Sequence, residues 1–354
     1  MKKKTIILIL VSALAAATVI GCLTPARFAD VTQRKTNAPV DLTTAGQTDT
    51  DRIETPEPVN RPNASQPPES VHESNSSQAS TDSAELPDDY ITIKGLMYSI
   101  SLTSIDLEFC NLSDADIEPL RHMKNLTDLK LTGNQLTDIS PLSGLINLEV
   151  LHLSGAEIAD ISPLSGLINL EVLYLSDAEI SDISALSNLT NIKWLRLDQN
   201  EVRDISPLSG LIKLESLDLS DNQVTDITVL SGLKNLIYLD LSDNQLQSIL
   251  PLSNLTGLYH LDLKNTQTSD ISPLSNLTGL VRLVLSFNQI SDISPLSGYT
   301  RLMALSLSYN EISDISPLSG LTNSTILFLS NNPIVDWTPL EHLDTIYDVP
   351  QHRG

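Results

Sequence analysis

Cysteine, basic residues and long apolar runs are scarce in this sequence, and each shortage excludes a class of protein. Only two of the 354 residues are cysteine, which excludes a disulfide scaffold and a zinc or iron–sulfur site built from several cysteines. The 21 Lys and Arg residues face 44 Asp and Glu residues, and the formal net charge is −23. A nucleic-acid-binding protein needs a basic surface, so no nucleic-acid partner is expected. No apolar stretch of about 18 residues follows residue 22, so no internal membrane span is expected.

The first 22 residues have the pattern of an export signal followed by a lipid-attachment cysteine. Three lysines precede an apolar run over 6–20, and together they form the basic and apolar regions of such a signal. The run ends in Val19-Ile20-Gly21-Cys22, which resembles the lipobox of bacterial lipoproteins. The resemblance implies that residues 1–21 are a lipoprotein signal peptide and that Cys22 receives a diacylglyceryl group, which anchors the chain to a membrane. An ordinary secretory signal that contains a cysteine is the alternative.

Residues 22–87 are predicted to be the lipidated cysteine followed by a disordered tether rich in Pro, Ser and Thr. Residues 23–87 contain eight prolines, one aromatic residue and no helical or strand-like period. Such a segment buries too little apolar surface to offset its ordering entropy. A flexible chain of this length spans roughly 45 Å, so the tether would lift the following residues away from the membrane. A degenerate folded domain is the alternative.

A repeat of 22 residues occupies most of the remaining sequence. Leucines at the first, fourth and sixth positions of a unit, such as Leu126, Leu129 and Leu131, recur 22 residues later. One 24-residue unit precedes them, and the pattern matches L-x-x-L-x-L-x-x-N/C-x-L, the leucine-rich-repeat signature. Eleven repeats therefore occupy residues 102–346, and they begin at Leu102, Leu126, Leu148, Leu170, Ile192, Leu214, Leu236, Leu258, Leu280, Leu302 and Ser324.

The segments on either side of the repeats are short. Tyr90-Ile91-Thr92-Ile93 predicts an opening strand, so residues 88–101 are interpreted as an N-terminal cap strand. Residues 347–354 are interpreted as a C-terminal tail.

The residue types in the first half of each unit predict a solenoid of parallel strands. The Leu-x-x-Leu-x-Leu segment forms a short strand whose inward leucines build a continuous core, which no single unit can bury alone. Asn at the ninth position, as in Asn222, can bond buried backbone groups, and Cys110 at that position is predicted to be a buried structural thiol. Thr266 substitutes in part, whereas Ala156 and Ala178 cannot, so their turns are predicted to be the weakest.

The second half of each unit reads Asp-Ile-Ser-Pro-Leu and predicts a short 3₁₀-like turn. The Asp, as in Asp204, can cap backbone N–H groups at the start of the turn, and Pro fits its first positions. Nine units carry this Asp, and Ser248 is the exception. The expected fold is an α/β repeat solenoid, a leucine-rich-repeat horseshoe with a parallel β-sheet on the concave face and short 3₁₀-like turns on the convex face.

The 22-residue unit with its Asp-Ile-Ser-Pro-Leu turn resembles the internalin-type leucine-rich repeats of bacterial surface proteins over residues 102–346. The resemblance implies a surface-exposed binding solenoid whose concave face takes a protein. The sequence departs from the internalin pattern because it has no helical cap, no immunoglobulin-like domain and no cell-wall sorting signal. Host invasion is therefore not implied, and attachment is expected through Cys22 on the extracytoplasmic side of a bacterial membrane.

Residues at the third, fifth, seventh and eighth positions of each unit are expected to point to solvent on the concave face. Stacked repeats place equivalent residues about 4.8 Å apart, so the third and fifth positions can be compared as columns. One group combines apolar and aromatic residues with an arginine, in a chain with only 4% aromatic residues, and such types are enriched in binding hot spots. The other is a column of aspartates, whose repulsion a basic partner or a cation would relieve. The predicted partner-binding residues are Val150, His152, Val172, Tyr174, Trp194 and Arg196 in the first group, and Asp218, Asp240 and Asp262 in the second.

Less specific interpretations of these surfaces remain open. Exposed aromatic residues are common by chance, and a solvated acidic face improves solubility without binding anything. A third cluster, formed by Phe287, Tyr309 and Phe328, is either a secondary contact or partly covered by the C-terminal end.

No catalytic, phosphate-binding or calcium-binding motif is found, and the six histidines are scattered. No enzymatic activity, cofactor or metal site is therefore predicted, because calcium takes six or more oxygen ligands and a flat column of aspartates supplies them poorly. The predicted function is a lipid-anchored extracytoplasmic recognition module that binds a protein partner, rich in Lys and Arg, through its concave face. An architectural role in the cell envelope and a carbohydrate-binding adhesin are the alternatives.

Overall fold

The computed structural model describes residues 88–322, 325–343 and 346–347. The predicted signal peptide, Cys22 and the tether, all within residues 1–87, lie outside the described residues, as does the predicted tail from residue 348 onwards. Within the described ranges, no helix combines the length and the apolar character needed to cross a membrane.

The described chain begins with a β-hairpin. Strand β1 (Tyr90–Ile93) pairs antiparallel with β2 (Leu96–Ser99). Lys94 and Gly95 connect the strands with positive φ angles of 47° and 78°, which a two-residue type I′ turn requires. The sequence predicted one opening strand, and the structure adds the second. The hairpin closes the end of the core with three buried side chains, those of Ile91, Ile93 and Tyr98.

Twelve parallel strands form one sheet, in which every strand pairs with its neighbour in sequence. From β4 to β13 the pairing offset is 22 residues, as Leu195 pairs with Leu217 and Leu217 with Leu239, so the predicted fold class is confirmed. The last strand extends the sheet beyond the eleven predicted repeats. The strands are β3 (Ser104–Asp106), β4 (Asp128–Lys130), β5 (Val150–His152), β6 (Val172–Tyr174), β7 (Trp194–Arg196), β8 (Ser216–Asp218), β9 (Tyr238–Asp240), β10 (His260–Asp262), β11 (Arg282–Val284), β12 (Ala304–Ser306), β13 (Ile326–Phe328) and β14 (Ile346–Tyr347).

Short 3₁₀ turns lie opposite the sheet, one in each repeat, as the sequence predicted. The first repeat is longer and adds a single helical turn, α1 (Asp114–Ile117), before its 3₁₀ turn. The 3₁₀ turns are Glu118–His122, Ser140–Leu142, Ser162–Gly166, Ser184–Leu186, Ser206–Gly210, Thr228–Gly232, Leu250–Leu252, Ser272–Leu274, Ser294–Leu296, Ser316–Gly320 and Thr338–Leu340.

The aspartate that recurs just before most of the turns accepts a hydrogen bond from the backbone at the start of the turn. In one representative repeat, the backbone N–H of Ser206 donates to Asp204 Oδ1 at 2.8 Å. This backbone bond and the Ser206 hydroxyl lower the pKa of the Asp204 carboxyl, because both stabilise its charged form. Ser248, the exception in sequence, accepts the equivalent N–H from Leu250 through its hydroxyl at 3.1 Å. The predicted capping role is confirmed, and it survives the change from Asp to Ser.

The inward leucines and the ninth-position asparagines hold the layers together. Leu217 and Leu219 are fully buried, like their equivalents in the other repeats. Asn222 donates from Nδ2 to the carbonyls of Leu219 at 3.1 Å and of Leu197, one repeat earlier, at 2.8 Å. Its Oδ1 accepts the N–H of Val202 at 2.9 Å. One side chain therefore satisfies buried backbone groups in two successive repeats, as the sequence predicted.

Replacements at the ninth position behave differently from one another. The Thr266 hydroxyl still donates to the Leu263 carbonyl at 2.9 Å, so its partial substitution is confirmed. Ala156 has no polar side chain, and the nearby Ile158 N–H bonds instead to the Ala156 carbonyl at 2.8 Å. Cys110, predicted to be a buried structural thiol, is only partly buried, so the predicted burial is wrong. It packs against the core, and its Sγ donates to the Glu108 carbonyl at 3.5 Å.

Candidate functional site

Strand pairing places the predicted binding residues in two columns on the concave face. At the third position, Val150 pairs with Val172 and Val172 with Trp194. At the fifth position, the pairing order is His152, Tyr174, Arg196, Asp218, Asp240 and Asp262. The two columns therefore bring together all nine residues that the sequence singled out.

The aromatic patch, defined as Val150, His152, Val172, Tyr174 and Trp194, covers β5 to β7. The rings of His152 and Tyr174 stack with centroids 4.5 Å apart and an angle of 18° between their planes. The guanidinium carbon of Arg196 lies 5.9 Å from the centre of the Tyr174 ring, within the range of a cation–π contact. Within the patch, His152 and Tyr174 therefore form a stacked pair that Arg196 continues on the next strand.

Arg196 connects the aromatic patch to the aspartate column. Its Nε lies 3.1 Å from Asp198 Oδ1, and one terminal nitrogen lies 3.6 Å from Asp218 Oδ2. The Arg196 side chain remains 48% exposed, whereas the side chains of the two aspartates are 11% and 12% exposed. The buried carboxylates hold the guanidinium over Tyr174 while one side of it stays open to a partner.

The acid ladder, defined as Asp218, Asp240 and Asp262, continues the fifth-position column. Asp218 and Asp240 each accept the backbone N–H and the hydroxyl of the serine two residues later. Burial raises the pKa of Asp218. Burial, with the negative charge of Asp240 as a smaller cause, raises the pKa of Asp262 to about 7. The ladder is thus a partly desolvated stack of like charges, and a nearby cation would stabilise its ionised form.

One cluster in the ladder has the residue types of a metal site. Asp240, His260 and Asp262 each bring one potential ligand atom within 4.8 Å of the others. His260 stacks on Tyr238 at 4.4 Å, its Nε2 is buried without a hydrogen bond to any described residue, and burial lowers its pKa to about 4. Three donors are fewer than the four of a structural zinc site and the six or more of calcium. The expectation that no metal binds stays a prediction.

The fifth-position column begins earlier than the sequence analysis assumed. His152 Nδ1 lies 3.5 Å from Glu108 Oε1, and Lys130 Nζ lies 3.9 Å from Asp106 Oδ2. The hydrogen bond from His152 is the main reason why the pKa of Glu108 is lowered. These residues were missed because the columns were compared from β5 onwards. The fifth positions of the first two repeats would have identified Asp106 and Lys130, whereas Glu108 occupies the seventh position of the first repeat.

The third aromatic cluster is only partly assembled. The rings of Phe287 and Tyr309 stack at 4.3 Å with an angle of 11°, and Lys264 Nζ lies 6.0 Å from the Phe287 ring. Both aromatic residues occupy the eighth position of their repeats, and both have a φ angle of 59°. Phe328 belongs to β13, at the fifth position. Tyr309 is 45% exposed and Phe287 is half-buried among the described residues.

Two family models match the repeats. A model described as Leucine Rich repeats (2 copies) matches residues 146–188, 190–232 and 234–276, and one described as Leucine rich repeat matches residues 100–158 and 278–334. The protein is therefore a leucine-rich-repeat protein.

Solved structures of other leucine-rich-repeat proteins resemble this chain. The internalin inlF of Listeria monocytogenes is 33% identical, with a TM-score of 0.60, and the match covers 73% of this chain and 91% of the internalin. Internalin C2 of the same organism is 32% identical over 60% of this chain and 85% of its own, with a TM-score of 0.46. The plant peptide hormone receptor RGFR1, solved in complex with RGF2, shares the fold at 22% identity and a TM-score of 0.51, over 66% of this chain and 48% of its own.

The match to inlF extends over nearly the whole of that internalin. The chain therefore belongs to the internalin family of leucine-rich-repeat proteins. No curated protein sequence matches the chain significantly.

Proposed function

We propose that the protein is a lipid-anchored extracytoplasmic recognition module that binds a protein partner through its concave face. The binding surface consists of the aromatic patch, Arg196 and the acid ladder. Leucine-rich-repeat proteins commonly bind proteins or peptides, as the receptor solved in complex with RGF2 illustrates, and internalin membership supports this class of function. A role in binding and not in catalysis agrees with the absence of any catalytic motif in the sequence.

The contact of Arg196 with both groups of residues is the observation that carries the proposal. Its guanidinium lies against the Tyr174 ring and reaches Asp218, so the aromatic patch and the acid ladder adjoin on one surface. Tyr, Trp and Arg are the residue types enriched in binding hot spots. Ser216 follows Trp194 in the third-position column, and its small side chain limits the cover over the indole. A partner that reaches this surface meets apolar, cationic and anionic groups side by side.

Capture experiments test the role of the patch. The full chain with Cys22→Ser, which prevents lipid attachment, is exposed to an envelope extract of the producing bacterium and to an animal cell-surface extract. The double variant Tyr174→Ala/Trp194→Ala is compared with Phe287→Ala/Tyr309→Ala, which removes an exposed aromatic pair elsewhere. We expect a protein that is captured by wild type and by the control variant but not by the patch variant. Equal capture by all three would overturn the proposed site.

The lipid anchor is tested separately, because it rests on the lipobox resemblance. Metabolic labelling with a radioactive fatty acid should label the wild-type chain, and the Cys22→Ala variant should lose both the label and the membrane association. An unlabelled wild-type chain would contradict lipidation without touching the recognition function.

The aromatic rings also support a second candidate, carbohydrate binding, since sugars stack on exposed rings. A glycan array with the same pair of double variants separates the two functions. Binding to a glycan that depends on Tyr174 and Trp194, without any captured protein, would favour the adhesin.

A further inference from the structure

A row of apolar side chains, three of them exposed and one half-buried, lies at the second position of four consecutive repeats, immediately before strands β9 to β12. We name it the apolar strip. The backbone N–H of Tyr259 donates to the Ile237 carbonyl at 2.8 Å, and Met303 N–H donates to the Val281 carbonyl at 2.8 Å, so the residues stack in register. Ile237, Tyr259 and Met303 are 47%, 50% and 58% exposed. The strip consists of Ile237, Tyr259, Val281 and Met303.

The fold does not require apolar residues at this position. The second position of earlier repeats carries Glu149, Glu171, Lys193 and Glu215. Glu171 and Lys193 form an ion pair of 2.6 Å across neighbouring repeats, which is an ordinary solvated arrangement. Because the same backbone site accepts charged residues there, the apolar strip has no structural necessity. Exposed apolar side chains in a contiguous row are typical of an interaction surface.

The apolar strip and the acid ladder overlap on two strands, β9 and β10. Ile237 and Asp240 are three residues apart in sequence, as are Tyr259 and Asp262, which corresponds to about 10 Å along a strand. No described Lys or Arg forms an ion pair with Asp240 or Asp262, whereas Lys264 pairs with Asp243 at 3.3 Å. Over β9 and β10, an apolar row and a row of carboxylates without an ion-pair partner therefore lie parallel to each other, although Arg282 and Lys264 favour the ionised form of Asp262.

The dimensions and charges of these two rows fit one kind of occupant. We propose that the apolar strip and the acid ladder together bind a basic amphipathic helix of the partner protein; this inference rests on the proposed function and names the partner's chemistry. A helix with its side chains is about 10–12 Å wide, so its apolar edge and its basic edge reach both rows at once. Four repeats span about 14 Å, which corresponds to about ten residues of helix. The carboxylates supply the charge complementarity.

A synthetic peptide tests the inference directly. The probe is a helix-forming peptide of about fifteen residues with Leu along one face and Lys along the flank of that face. Its affinity for the full chain is measured by isothermal titration and compared with that of a scrambled peptide of the same composition. We expect wild type to bind the amphipathic peptide about tenfold more tightly than the scrambled one. Equal affinity for both peptides would overturn the proposal.

Two matched pairs of variants locate the binding surface. Tyr259→Ser/Met303→Ser removes the apolar strip, and its control Ile146→Ser/Ile168→Ser removes two isoleucines that are similarly exposed elsewhere. Asp240→Asn/Asp262→Asn removes two ladder charges, and its control Asp204→Asn/Asp226→Asn removes two charges from the convex turns. We expect each test variant to weaken peptide binding about tenfold and each control to stay within about twofold of wild type. Equal losses in test and control variants would refute the location.

The outcomes separate this inference from the proposed function. If the peptide does not bind but protein capture still depends on Tyr174 and Trp194, the amphipathic partner is wrong and the recognition function stands. If the peptide binds as expected but protein capture is unaffected by Tyr174→Ala/Trp194→Ala, the strip and ladder form the site and the aromatic patch does not.

Discussion

The inward and the outward residues of each strand differ in how much their residue type varies between repeats. In β8 and β9, the inward pair is Leu217 and Leu239, both fully buried, whereas the outward pair beside it is Ser216 and Tyr238. The inward positions hardly vary because every layer of the core has the same shape and the same neighbours. The outward positions differ in residue type from one repeat to the next, as Ser216 and Tyr238 show. Alternate residues of a three-residue strand therefore form the core and the proposed binding surface.

The largest effect should come from an inward residue. Leu219→Ala removes a fully buried side chain from a middle repeat and leaves a cavity between layers, so the free energy of unfolding should fall by about 2–5 kcal/mol. Ser216→Ala, an outward change in the same repeat, is the control and should stay within about 0.5 kcal/mol of wild type. Denaturant unfolding measures both. An unchanged stability of Leu219→Ala would refute the register of the core.

The asparagine column should produce the next largest effect. Asn222→Ala leaves the Val202 N–H without its side-chain partner and removes one of the two asparagine donors from each of the Leu197 and Leu219 carbonyls. Asn200 and Asn244 still donate to these carbonyls, so a loss of about 1–3 kcal/mol is expected. The reverse change, Ala178→Asn, should stabilise the chain by about 0.5–1 kcal/mol because it supplies the missing bonds. Thermal unfolding of the two variants compares them. A neutral Asn222→Ala would mean that water replaces the side chain.

An outward charge should have a smaller effect that depends on pH. The pKa of Asp262 is raised from 3.8 to about 7, so between these values the native state keeps a proton that the unfolded chain has released. Stability therefore falls as pH rises through this range. Asp262→Asn should remove that loss and raise the free energy of unfolding by about 1–2 kcal/mol near pH 8, with no change near pH 4.

The same measurement tests the environment of the ladder. Asp240 acts against the ionised form of Asp262, while Arg282 and Lys264 favour it, so the charge pattern around the carboxyl is mixed. Added zinc or calcium should leave the melting temperature unchanged in both wild type and Asp262→Asn. A rise in wild type alone would contradict the predicted absence of a metal site.

The smallest effect should come from a capping aspartate on the convex side. The pKa of Asp204 is lowered by the backbone N–H and the hydroxyl of Ser206, so its contribution is present at neutral pH and is lost as pH falls through the native pKa. Asp204→Ala should lower the melting temperature slightly at neutral pH and less in acid, whereas Asp204→Ser should retain much of the cap, as Ser248 does. Equal effects of the two substitutions would argue against a capping role.

The sequence predicts the core and the columns well because both depend on spacing alone. A period of 22 residues determines which strands are neighbours, and the pairing of Trp194 with Ser216 follows from it without any knowledge of side-chain contacts. The asparagine bonds and the capped turns follow for the same reason, since each is repeated locally.

Contacts between particular side chains were harder to predict. The ion pairs of Arg196, the stacking of His260 on Tyr238 and the partial burial of Cys110 depend on rotamers and on local departures from the period. The hairpin partner β2 belongs to no repeat, so periodicity carries no information about it. The apolar strip was missed because only the third and fifth positions of the strands were compared.

Because the offset between strands is a constant 22 residues, the aromatic patch and the acid ladder are separated by a whole number of repeats. Tyr174 and Asp218 belong to strands two steps apart, with β7 between them. Duplication of the repeat that contains Arg196 would move them apart by about 4.8 Å, and its deletion would bring them closer by the same amount. Copying or deleting one repeat therefore changes the distance between the aromatic patch and the acid ladder in fixed steps, without any change in the residues that form them.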